Sequence, residues 1–69
     1  MLDKSKMAER LRMERARKGT TQAEVAEATG TTPIAICHYE MGKRTPTLDK
    51  LEALAEYYDV SLDYLAGAE

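Results

Sequence analysis

The chain has 69 residues, of which 43% are apolar and 32% charged, and a formal net charge of −2. That suits one small globular domain whose core is marginal without an oligomer or a longer parent chain. No apolar run approaches the roughly 18 residues that span a bilayer, the opening MLDKSKMAER lacks a secretory apolar stretch, and a lone cysteine cannot close an internal disulfide, so a reducing cytoplasm is the expected setting.

No segment alternates with period two. A cap, a helical apolar stripe and a breaker recur instead, which predicts an all-α fold of five helices. The first helix runs from about residue 5 to 18 and stops at Gly19, with Met7, Leu11 and Arg15 on its stripe. Residues 1–19 hold seven Lys/Arg against three acids, a net of +4, while residues 20–69 carry −6. So uneven a charge either solvates a helix face or forms a local surface for a polyanion. The second helix follows Thr21 as N-cap, covers residues 22–29 and stops at Gly30, turning Gln22, Val25, Ala26 and Thr29 inward.

The third helix lies in TTPIAICHYEMGKR, with Thr32 as N-cap and Pro33 at its first position. With Ile36 at the centre of the core face, Tyr39 and Glu40 fall within about 60° of it, with Thr32 nearby. Ile34, Cys37, His38 and Met41 point away. The turn MGKRTP leads to a fourth helix, capped by Thr47 and running to about residue 58, with Leu48, Leu51, Leu54, Ala55 and Tyr58 on one face. A short fifth helix spans about residues 61–66, where Val60 can staple onto Leu65.

The outer face of the third helix is unusually apolar, and no element is left over to cover it, which marks it as a surface that meets a partner. Small Ala26, Gly30 for a turn with φ > 0 and apolar Ile36 have the spacing of a helix-turn-helix, whose second helix enters the major groove.

The segments TQAEVA, the G-T-T entry to the third helix, YE-x-GKR-x-P and the closing VSLDYLAG occur in the order of the phage-repressor and Cro-type helix-turn-helix family. The chain resembles that family over about residues 7–67, with the motif core at about 21–41 inside a single domain of residues 1–69. The resemblance implies a lambda-repressor-like five-helix bundle, a sequence-specific DNA-binding transcriptional regulator of phage or bacterial repressor type, and an operator of two half-sites. It also implies a homodimer through the last two helices, where Tyr57 or Tyr64 can reach the contact. Thr32, Pro33, Ile34 and His38 match base-facing positions, with Cys37 on their flank. Thr21, Gln22, Thr31, Lys43 and Arg44 match positions on the phosphate backbone. Arg15 and Glu40 match an ion pair joining the first and third helices. Two inward charges of opposite sign favour that pairing on physical grounds too, since burying either alone is costly.

The chain departs from the family where base edges are read. Pro33 and Ile34 stand where Gln, Asn, Arg, Lys or Ser are usual, so contact with thymine methyls and DNA shape replaces much hydrogen-bonded readout. Thr20 and Thr29 replace apolar residues at some cost in burial. Adjacent Cys37 and His38 point about 100° apart on a helix and make a poor metal site. No metal or cofactor is expected, and no nucleophile set or phosphate loop suggests an enzyme. The rival reading is a protein-interaction module, antitoxin-like or adaptor-like, that uses the same apolar face of the third helix.

Overall fold

The computed structural model describes residues 3–68. α1 (Lys4–Lys18) starts just before its expected position, because Asp3 is the N-cap and its carboxylate accepts the Lys6 N–H at 3.1 Å. α2 (Gln22–Thr29) opens with a reciprocal capping box between Thr21 and Glu24, at 3.1 and 2.9 Å. The Thr21 N–H and the Thr20 hydroxyl, both donating to its carboxylate, hold the Glu24 carboxyl below its ordinary pKa. Thr32, Thr47 and Ser61 cap α3 (Pro33–Glu40), α4 (Leu48–Tyr58) and α5 (Leu62–Ala66) with the same side-chain bond to a backbone N–H. Among the described residues there is no strand, and no helix is long and apolar enough to cross a membrane.

The core gathers one stripe from each helix. Met7, Leu11, Val25, Ile36, Leu54 and Leu65 are fully buried, each contributing about 1.5–3 kcal/mol of transfer free energy. α1 packs against α3 and α5, α2 against α3 and α4, and α4 closes onto α5 and α1. Val60 is half-buried against the cluster that holds Leu65. The all-α bundle expected from the periodicity is the fold observed.

Three expectations need correction or completion. Leu48, placed on the inner face of the fourth helix, is 61% exposed. It lies about 70° from the centre of the Leu51–Leu54–Ala55–Tyr58 stripe and in the first turn, at the end of the packed surface. Thr29 is buried without a polar penalty, because its hydroxyl donates to the Val25 carbonyl at 2.7 Å. Thr20 is tied to the Tyr57 hydroxyl at 2.9 Å and donates to Glu24. Tyr57 and Tyr64 both lie half-buried against their own core, and each ring carries a cation, Lys18 and Arg10 respectively.

Candidate nucleic-acid interface

The α2–α3 corner is shaped by small and apolar side chains. Val25, Ala26 and Ile36 are buried where the two helices meet. Gly30 has φ +68°, a left-handed conformation that lets the Thr31 N–H reach back to the Ala26 carbonyl at 2.9 Å. Lys50 of α4 donates its ammonium to the Gly30 carbonyl, a tie the sequence pattern does not reveal.

This corner presents α3 outward. Thr32, Pro33 and Ile34 are exposed, Ile34 to 67%. Met41 is exposed as well, and Cys37, half-buried, donates its thiol to the Met41 sulfur at 3.6 Å. His38 is half-buried on the flank. Ala35, Ile36, Tyr39 and Glu40 face the core. The exposed face is therefore centred on the N-terminal turn of α3, with Cys37 and His38 towards its edge. Among the described residues no group of three or more His, Cys, Asp or Glu gathers around them.

Beneath this face, Glu40 is a buried carboxylate that binds three donors from two other helices. Arg15 of α1 donates Nε to Oε2 at 2.7 Å and Nη2 to Oε1 at 3.0 Å, and Gln22 of α2 donates Nε2 to Oε1 at 3.1 Å. Arg15 also donates to the Thr20 carbonyl at 3.2 Å, and Arg12 donates to the Glu40 backbone carbonyl. The bond to Glu40 raises the Arg15 pKa further above its ordinary value, outweighing partial desolvation. The expected ion pair is thus present, and it includes Gln22, which fixes the start of α2 relative to the end of α3. Thr21, the cap beside Gln22, is exposed, and Thr31 is half-buried in the corner.

The basic turn is held as firmly. The Lys43 and Arg44 N–H groups both donate to the His38 carbonyl, at 2.9 and 3.3 Å, and Gly42 at φ +72° allows the reversal. Pro46 is buried at the far end of the turn. The Arg44 guanidinium lies 5.8 Å from the centre of the Tyr39 ring. Both Lys43 and Arg44 side chains are exposed, and neither pairs with a carboxylate among the described residues. α3 therefore carries an exposed, largely apolar N-terminal end and is followed at its C-terminal end by a fixed, exposed cationic turn.

The comparisons with known proteins agree with this fold. A model of the family described as "Helix-turn-helix" matches residues 11–65. The uncharacterized HTH-type transcriptional regulator YobD of Bacillus subtilis is 41% identical over 59 residues, covering 86% of this chain and 53% of its own length. The cryptic phage CTXphi transcriptional repressor RstR of Vibrio cholerae is 34% identical over 62 residues, covering 90% of this chain and 55% of its own. The chain therefore spans about half the length of the curated relatives it matches. The P22 c2 repressor, solved in complex with a synthetic operator, superposes with a TM-score of 0.88 at 30% identity, over 91% of this chain and 96% of that one. With a caps-and-corner geometry of this kind, and a family match reaching from α1 to α5, the chain belongs to the helix-turn-helix family.

Proposed function

We propose that residues 1–69 form a single sequence-specific DNA-binding domain of a phage-type transcriptional regulator, with α3 in the major groove and an effector region elsewhere in a longer parent chain. The observation that carries this reading is an α3 whose N-terminal end, Thr32–Pro33–Ile34, is exposed and whose C-terminal end leads into an exposed cationic turn fixed by its own backbone bonds. The P22 c2 repressor, a structural neighbour along nearly its whole length, was solved bound to operator DNA, which supports it. Thr32, Pro33 and Ile34 face the bases, with Cys37 and His38 at the margin. Thr21, Gln22, Thr31, Lys43 and Arg44 lie along the phosphates. The protein acts in the cytoplasm as a homodimer through α4 and α5, and its two α3 helices reach successive major grooves about 34 Å apart.

Two substitutions test the division of labour. Arg44→Ala removes a charge that carries no sequence information. It weakens operator and random duplex alike and lowers the slope of log K against log salt by about 0.9. Ile34→Ala leaves the slope unchanged and costs roughly 1 kcal/mol on the operator only, a loss that shrinks when the contacted thymine is replaced by uracil. Footprints of the same complexes show two protected half-sites if the dimer reading holds. Ile34 and Met41 are large exposed apolar side chains, which is what the protein-interaction reading requires. Unaltered DNA binding with loss of a protein complex in Ile34→Ala would replace the DNA reading with that one.

A further inference from the structure

The interface above uses only part of the cationic excess in residues 1–19. Lys4, Ala8, Arg12 and Arg15 recur at helical spacing along one flank of α1. Arg15 is engaged with Glu40. Arg12 gives one N–H to the Glu40 backbone carbonyl, which fixes its guanidinium at the end of α3 and leaves other donors available. The Lys4 side chain is exposed and has no hydrogen bond or ion pair with any other described residue. An open cleft of about 270 Å³ lies at this flank, lined by Lys4, Ser5, Ala8, Arg12, Met41 and Gly42. Its wall carries two cations and a hydroxyl but no carboxylate. An open cleft at the far end of α1 has Glu14 and Asp59 beside Arg17 and Lys18, so its charges offset one another. The cationic cleft ends at Gly42, directly before Lys43 and Arg44, so it extends the basic turn onto α1.

We propose that this cleft is a second phosphate-binding subsite, in which Lys4, Arg12 and the Ser5 hydroxyl hold one phosphodiester of duplex DNA flanking the bases that α3 faces. The proposal rests on the DNA-binding reading. A guanidinium held in place by α3 and a mobile ammonium suit a phosphate that is offered at a fixed distance from the major groove. Free phosphate shares this chemistry, but only a duplex presents it while α3 is also engaged.

The test compares wild type, Lys4→Ala, the double variant Lys4→Ala/Arg12→Ala and Arg44→Ala on one duplex, between about 50 and 200 mM salt. Loss of one neutralised phosphate lowers the slope of the double variant by about 0.9, so its affinity falls roughly threefold less than wild type across that range. Lys4→Ala alone shows part of this change, and because Lys4 is exposed and unpaired its melting temperature stays that of wild type. In a scan of methylphosphonate substitutions, one uncharged linkage flanking the half-site weakens wild type and leaves the double variant unaffected. If Arg44→Ala lowers the slope and neither Lys4 variant does, this subsite is overturned and the DNA reading stands. If wild type shows no salt-dependent duplex binding, the DNA reading and the subsite fall together. Inorganic phosphate that shifts the Lys4 and Ser5 amide resonances, with an unchanged duplex slope, would make the cleft a free-anion site and overturn the proposal.

Discussion

Glu14 and Arg15 are neighbours on α1, yet they enter two different polar junctions. Arg15 reaches α3 with a two-pronged bond to buried Glu40, whose carboxylate also takes Gln22 from α2. Buried Glu14 leans towards α5, where it accepts the Tyr64 hydroxyl at 3.1 Å, and it takes the guanidinium of Arg17 from its own helix. Arg10 completes that side by donating to the Tyr64 carbonyl and stacking 4.6 Å from its ring. In the first junction three helices supply the partners. In the second the main cation is 68% exposed and three residues away along the chain. A pair at that spacing also forms on an isolated helix and is screened by water, so it discriminates weakly between folded and unfolded chains. A charged group that draws its partners from separate elements exists as a pair only in the fold.

The largest test of this contrast is Arg15→Met. It leaves Glu40 buried with only Gln22, and it destabilises the domain by about 2–4 kcal/mol in urea unfolding. The value sits towards the low side for buried pairs because the Arg15 side chain is 27% exposed. Arg15→Met/Glu40→Leu recovers part of the loss, since no uncompensated carboxylate remains. Effects below about 0.5 kcal/mol for Arg15→Met and for Glu40→Leu alone would place the pair effectively in solvent and end the contrast.

The second junction responds less. Glu14→Ala costs about 1–2 kcal/mol, from one lost charge-assisted bond to Tyr64. Adding Tyr64→Phe to that variant costs little more, because the bond is already gone. Arg17→Ala leaves the melting temperature unchanged. A melting point that falls as far for Arg17→Ala as for Glu14→Ala would show that the local cation carries this junction, contrary to its exposure.

This pair of junctions also separates what was legible in the sequence from what was not. The ends of α2 to α5 are legible because Thr21, Thr32, Thr47 and Ser61 stand directly before or close to apolar-periodic runs, and the outward set of α3 follows from one helical wheel. Arg15 and Glu40 are legible because each lies on an inward stripe with no internal partner. Glu14 is not. After Met7 and Leu11 a stripe of period 3.6 continues to position 14 or 15 about equally well, and both turn inward here. Arg12, Arg44 and Lys50 have long side chains with many rotamers, so periodicity cannot say which carbonyl or ring they meet. Leu48 misleads for another reason, since a wheel describes angle but not where along a helix its neighbour ends.

The smallest effect concerns Tyr58, which lies between the junctions. Its side chain is buried in the core, 5.2 Å from the Tyr57 ring centre, and its hydroxyl has no hydrogen-bond partner among the described residues. Burial raises its pKa strongly, the Glu40 and Glu14 carboxylates add to this, and Arg15 opposes it. A phenol whose folded pKa is raised stays protonated in the native state after the unfolded chain has begun to lose its proton near pH 10. The stability it contributes is therefore complete below about pH 10 and falls as pH climbs towards the folded value. Tyr64 shifts the same way, through burial and its bond to Glu14. Tyr58→Phe removes an unpaired buried hydroxyl without changing the ring, so at neutral pH it should leave stability unchanged or raise it by up to about 1 kcal/mol. It should also flatten the alkaline decline in part, leaving the share that belongs to Tyr64. Urea midpoints of wild type and Tyr58→Phe from pH 7 to 11 measure both effects. A loss of more than about 1 kcal/mol at neutral pH would mean that the hydroxyl is bonded in solution. The two junctions would then form one continuous network through Tyr58, and their separation along α1 would not be energetic.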